Sequence, residues 1–287
     1  MQTVMAPAKI NLTLEVLSQR PDGFHEIRSV IQTINLLDSL RFQLSEDIEL
    51  KSGMPDWVPE ESLVSKAVGL LQEAAGCDRG VAIEVIKRIP VVSGLGGDSS
   101  DAAATLRGLN RFWRLGLSLD ELVELAWQLG SDVAFFLYGG TALLEGRGER
   151  VMPLPPLPHM WVVLMMPPVP KLQRKTEQLY ASVKTGQYTD GQITDRVVTR
   201  LTGCGTTELP EVFNVFDDVA LESFPGLEVY RQRFLEAGAG DVHLAGSGPT
   251  LFTLARDRTQ AEKIYANLQQ QGLESYLTNT LAAKERA

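Results

Sequence analysis

Between Pro90 and Ser100 the chain reads Pro90, Val91, Val92, Ser93, Gly94, Leu95, Gly96, Gly97, Asp98, Ser99, Ser100, and then enters an alanine-rich stretch. The glycines Gly94, Gly96 and Gly97 let the backbone adopt dihedrals closed to other residues and approach a ligand closely. The apolar run 81–87 before the loop reads as a strand closed off by Pro90. After the loop, Ala102, Leu106, Leu109 and Trp113 recur at steps of four, three and four, one face of a helix. Strand, glycine loop, helix is an arrangement that holds phosphate. The first N–H groups of a helix have no acceptor within it, and the positive end of its dipole favours an anion. Ser99 and Ser100 suit a helix cap or a bond to a phosphate oxygen. Two common signatures are missing: the chain has no Gly-Lys pair, and Ser99 stands where a dinucleotide fingerprint needs its third glycine. By itself the loop is as well explained as a plain turn.

Two further groups have chemistry to offer. Lys9 opens the run 9–17, in which Ile10, Leu12, Leu14 and Val16 alternate like a half-buried strand; a lysine there is ordinarily solvated. Asp132 follows Gly130, just ahead of a segment, 135–149, that reads as strand and tight turns. An aspartate so placed often serves the turn itself. His25 begins His-Glu-Ile-Arg-Ser, which lacks the second histidine of a zinc helix, since Ser29 stands in its place.

The surrounding elements are partly legible. Ser118 and Glu121 form a capping box ahead of the stripe Leu122, Leu125, Ala126, Leu129, and Gly130 stops that helix. Four prolines between 152 and 159 mark a linker. An apolar strand at 161–166, a helix near 172–184, polar connecting sequence, a second glycine cluster at 237–254, a helix near 258–271 and a strand near 273–278 follow. We expect an α+β chain of two domains, 1–154 and 155–287. At 287 residues and 44% hydrophobic content it can bury a large core, and its net charge of −9 argues against nucleic acid as a partner. Its longest apolar run, 160–166, is too short to span a bilayer, the first residues carry no signal pattern, and Cys77 and Cys204 read as reduced thiols. The expectation is a cytoplasmic protein without membrane contact, a monomer or weak homodimer.

The segments 6–16, 90–103 and 243–254 together resemble, in order, the three signature segments of the galactokinase, homoserine kinase, mevalonate kinase and phosphomevalonate kinase superfamily. Within it, 20–34, 129–149 and 175–180 are similar to the bacterial kinases that phosphorylate 4-diphosphocytidyl-2-C-methyl-D-erythritol in the non-mevalonate route to isoprenoid precursors. The likeness spans most of the chain and is weakest between about 186 and 213.

The resemblance implies a two-domain small-molecule kinase fold with its active site in the cleft between the domains. It also implies ATP and Mg2+, and transfer of the γ-phosphoryl group to the 2-hydroxyl of the cytidine diphosphate sugar-alcohol. Residues 90–100 become the triphosphate cradle, Lys9 the catalytic lysine, and Asp132 the base that takes or orients the acceptor proton. Phe24 and Tyr180 become the rings that sandwich cytosine, His25 and Thr176 its polar contacts, and Asn11 a polar group near the acceptor. Gly246, Ser247 and Gly248 form the third segment, behind the cradle. Two positions depart from the family. Asp98 replaces a glycine, and we expect it to cap the helix, face away from the phosphates or reach the metal through water. Ser62 stands where relatives carry the asparagine associated with adenine.

Overall fold

The computed structural model describes residues 1–54, 57–203 and 210–283, so Cys204 lies outside the described residues, while Cys77 is a free, half-buried thiol. In chain order the strands are β1 (Gln2–Asn11), β2 (Thr13–Gln19), β3 (His25–Gln43), β4 (Ile48–Ser52), β5 (Val81–Ile86), β6 (Thr141–Gly146), β7 (Arg150–Pro153), β8 (Trp161–Met166), β9 (Phe213–Asn214), β10 (His243–Leu244), β11 (Leu251–Ala255) and β12 (Glu274–Asn279). The α-helices are α1 (Leu63–Ala75), α2 (Gly97–Phe112), α3 (Leu119–Leu129), α4 (Ser131–Tyr138), α5 (Lys175–Ser182), α6 (Gln192–Thr202), α7 (Phe216–Ser223), α8 (Leu227–Glu236) and α9 (Arg258–Gln270). The chain forms two compact units. One comprises residues 1–8, 36–91 and 96–139; the other comprises 9–35, 92–95 and 140–287.

In the first unit β4 runs parallel to β5, and β5 lies antiparallel to the second half of β3, with Ser39 opposite Ile86. Val81, Ile83 and Val85 turn inward and alternate with more exposed residues, so one face of this sheet is covered. Helices α1 to α4 pack on one another, with α2 touching the other three. Close packing explains why α2 is rich in small residues: Ser100–Leu106 are all buried, and a Cβ at Gly108 would stand 2.5 Å from the Phe42 ring. The capping box at Ser118 and Glu121 starts α3, as its sequence leads one to expect.

In the second unit the first half of β3 pairs with β2 and β6, and β2 with the short parallel β9. A separate antiparallel sheet runs β10-β11-β8-β12. Its second core strand, β8, has neighbours on both edges, and Val162–Met165 are buried, which accounts for an unbroken apolar run. Phe216 of α7, Phe224 just after it and Phe234 of α8 fill the adjacent core beside Ile264 and Leu268 of α9.

Three expectations are corrected. Within 135–149 the first part is helix α4, not strand; Val133–Leu137 are buried all round, so no apolar stripe marks a helical period. Residues 9–17 are not half-buried: Lys9–Val16 are all buried, and the run breaks into β1 and β2 at Leu12. The polar connection after residue 184 contains α6, α7 and α8. Helix α6 buries only Thr194 and Val197, and polar residues outnumber apolar ones along it, so it reads as connecting sequence.

Candidate active site

In the second unit the two glycine segments lock together backbone to backbone. Gly94 (φ +88°) has a conformation that side-chain-bearing residues rarely adopt, and a Cβ there would collide with the carbonyl of Ala245 and come within 2.8 Å of the Gly248 nitrogen. Gly246 (φ +56°) is pressed just as closely, since a Cβ would stand 2.8 Å from Lys9 Nζ and 2.9 Å from the Gly94 oxygen. Thr250 N–H donates to the Ser93 carbonyl at 3.2 Å, and Lys9 N–H to the Leu95 carbonyl at 2.9 Å. Asn214, which sequence reading overlooks, holds the third segment from behind: its Nδ2 donates to the carbonyls of Leu244 and Gly246, both at 2.8 Å.

Lys9 is only 6% exposed, so it is not the solvated lysine its place at a strand invites. Its Nζ donates to Asn11 Oδ1 at 2.9 Å, Asn11 Nδ2 donates to Ser29 Oγ at 2.8 Å, and Ser29 donates to the Thr13 carbonyl. That chain orients both the ammonium and the Asn11 amide. Helix α5 carries several more groups. At its start Lys175, another residue sequence reading passes over, donates to the carbonyls of Val92, at 3.0 Å, and Gly248. Thr176 Oγ1 lies 3.0 Å from Ser247 Oγ. Near its end Tyr180 stacks on His25, ring centroids 5.2 Å apart and planes 20° apart, with Tyr188 edge-on to the same imidazole. Burial lowers the His25 pKa below its ordinary value, so the ring is neutral near pH 7. Phe24 is exposed, with the guanidinium of Arg147 4.6 Å over its ring. Thus Tyr180 faces His25, while the other candidate ring, Phe24, faces Arg147.

In the first unit α2 starts from Gly96 in the left-handed conformation, with Gly97, Asp98 and Ser99 in its first turn. Asp98 makes no cap; its side chain is 64% exposed and turns to Lys87 Nζ at 3.4 Å. The physical reason is that Lys87 is the local cation. It is buried 2.7 Å from both Asp38 and Asp101, and Asp38 Oδ1 accepts the N–H groups of Arg88 and Ile89. This buried cluster pins the end of β5 to the helix that follows the loop. Burial alone would lower the Lys87 pKa, but Asp101 and Asp38 outweigh it and raise it. Ser100 Oγ and Asp101 Oδ1 are buried with no hydrogen-bond partner, oxygens that a phosphate-bound cation or a water would satisfy. Asp132 is half-buried in the first turn of α4. Ser62 caps α1, accepting the Ser65 N–H at 3.1 Å.

Residues 62–140 match the family model for the GHMP kinases N terminal domain, and 208–273 that for the GHMP kinases C terminal region. A 4-diphosphocytidyl-2-C-methyl-D-erythritol kinase of Dehalococcoides mccartyi is 50% identical over 281 residues, covering 98% of this chain and 99% of the relative. One from Geobacillus kaustophilus is 41% identical, covering 93% and 92%. A crystal structure of a 4-(cytidine 5'-diphospho)-2C-methyl-D-erythritol kinase superposes with a TM-score of 0.83 at 32% identity, over 97% of this chain and 99% of that one. The homoserine kinase of Cytophaga hutchinsonii, at 20% identity and a TM-score of 0.75 over 99% and 96%, shares the fold. The chain belongs to the GHMP kinases, and within them to the 4-diphosphocytidyl-2-C-methyl-D-erythritol kinase family.

Proposed function

We propose that the protein is the ATP-dependent kinase that phosphorylates the 2-hydroxyl of 4-diphosphocytidyl-2-C-methyl-D-erythritol. The observation that carries this reading is local. One glycine loop, interlocked with a second glycine segment, meets a buried lysine, and helix α5 runs from that junction to a His25–Tyr180 stack suited to a flat base. Lys175 and Tyr180 are five residues apart on α5, about 7.5 Å along its axis.

In this reading the backbone N–H groups of the cradle, residues 90–100, receive the phosphate oxygens, and the Lys9 ammonium neutralises charge that grows on them during transfer. Asp132 accepts the proton as the substrate alcohol oxygen bonds to the γ-phosphorus; the bond to ADP breaks and ADP departs with the electron pair. Neutral His25 bonds the cytosine edge, the aromatic rings supply its stacking face, and Asn11 and Thr176 steady the rest of the acceptor. Ser100, whose hydroxyl is buried without a hydrogen-bond partner, would hold Mg2+ bound with the triphosphate, and that ion would supply charge neutralisation. We assign the chain an N-terminal domain over 1–154 and a C-terminal one over 155–287, acting in the cytoplasm as a monomer or weak homodimer; among the described residues no helix is long and apolar enough to cross a membrane.

The test is ADP release with the cytidine diphosphate sugar-alcohol, using homoserine and mevalonate as controls. The expected result is turnover with the first alone, and a kcat lowered about 10²–10⁴-fold in Asp132→Asn. Wild-type turnover in that variant removes Asp132 from the chemistry.

A further inference from the structure

Helix α5 carries Thr176 and Tyr180, yet its first residue is the more unusual. Lys175 is 8% exposed, almost as buried as Lys9 at 6%. A buried ammonium ordinarily finds a carboxylate. The acceptors of Lys175 are instead two backbone carbonyls, those of Val92 and Gly248, and no carboxylate among the described residues pairs with it. Two neutral dipoles engage two of its three N–H groups.

Its surroundings point to what the ammonium serves. Val92 lies inside the phosphate loop in the left-handed conformation (φ +57°), a costly one for a β-branched residue. The Gly248 carbonyl is also the group against which Gly94, at the middle of that loop, packs: a Cβ there would be 3.0 Å from it. Lys9 Nζ stands against Gly246, two residues away on the same turn. Two ammonium groups therefore flank one glycine turn. Burial, and after it the charge of Lys9, lowers the Lys175 pKa to about 8. A buried ammonium such as Lys175, offset by carbonyl dipoles, is stabilised further when an anion joins it.

Building on the kinase reading, we infer that Lys175 is a second phosphate-gripping cation: it braces Val92 and Gly248 with two N–H groups and directs its third at the triphosphate tail of ATP. It thereby acts beside Lys9, from a different element and on a ligand both lysines need.

The experiment compares binding of ATP and of phosphate-free adenosine, each with Mg2+, by calorimetry to the wild type, Lys175→Gln and Lys175→Met. Glutamine keeps a donor for one carbonyl. The expected outcome is ATP affinity lowered at least tenfold in both variants, with adenosine affinity within threefold of wild type. Equal losses for both ligands, or unchanged ATP affinity, would overturn the phosphate contact. A crystal structure of the wild-type chain with Mg2+ and a non-hydrolysable ATP analogue decides the matter without a substitution: Lys175 Nζ belongs within 3.5 Å of a phosphate oxygen, on the hydrogen-bond criterion, and a phosphate-free ammonium there sinks the inference. Wild-type ADP release on the cytidine substrate is measured alongside. Its failure would count against the acceptor assigned above, whereas the nucleotide measurements judge Lys175 alone.

Discussion

Lys87 and Lys175 are both lysines taken out of water, one in each compact unit, and they are treated in opposite ways. Lys87 lies 2.7 Å from two carboxylates, Asp38 and Asp101, with Asp98 nearby, so its charge is more than neutralised. Lys175 is held by two carbonyls beside another lysine's field. A buried charge already matched by its neighbours is complete and serves to hold chain segments in place. A buried charge offset only by dipoles has electrostatic capacity left for a ligand. The difference separates a structural lysine from a binding one by environment, where residue type and burial alone do not.

The contrast can be broken most directly at Lys87. Lys87→Met leaves two carboxylates buried without a cation, and the expected loss is about 3–5 kcal/mol of folding stability, read from the urea midpoint. Removing the Lys175 ammonium should cost about 1–2 kcal/mol, the value of carbonyls left unsatisfied. Equal losses would mean that the two lysines do the same job. Gly94→Ala sharpens the picture at the interlocked glycines. The φ of +88° and the collision with the Ala245 carbonyl displace the loop, so the KM for ATP should rise at least tenfold while that for the cytidine substrate stays near wild type.

A pH test concerns His243, which precedes the third glycine segment. Burial lowers its pKa, but the hydrogen bond to Asp217 (2.8 Å) and the carboxylate of Asp241, 3.8 Å away, outweigh that and raise it to about 9. A histidine whose folded pKa is raised contributes stability that is fully present below about 6.5, its unfolded value, and lost as pH rises through 9. The expected loss between pH 6.5 and pH 9.5 is at most about 3 kcal/mol, and it should vanish in His243→Gln. The smallest effect belongs to Asp98. Its exposed carboxylate faces Lys87, so Asp98→Gly should change ATP affinity less than threefold; a gain above tenfold would show that the carboxylate repels the phosphates.

Much of this was legible in the residues, and the gaps have identifiable causes. Helix α3 announces itself through Ser118, Glu121 and Gly130 because capping is chemistry between near neighbours. Strand β8 is legible because a central strand is apolar throughout. Helix α4 is not, because a helix buried on every side has no period to read. Lys175 and Asn214 escape notice for a related reason: nothing in Arg-Lys-Thr or Phe-Asn-Val says which distant carbonyls those side chains will meet.

Local order and the phosphate motif were set by sequence alone: glycines where positive φ is required, caps where helices begin, and signature segments strong enough to place the chain in its family. Tertiary structure decided the electrostatics. It buried Lys9, gave Lys87 its carboxylates and Lys175 its carbonyls, turned Asp98 toward a cation instead of the helix end, and faced Tyr180 to His25. A charge is governed by the groups around it in space, and those groups come from segments far apart along the chain.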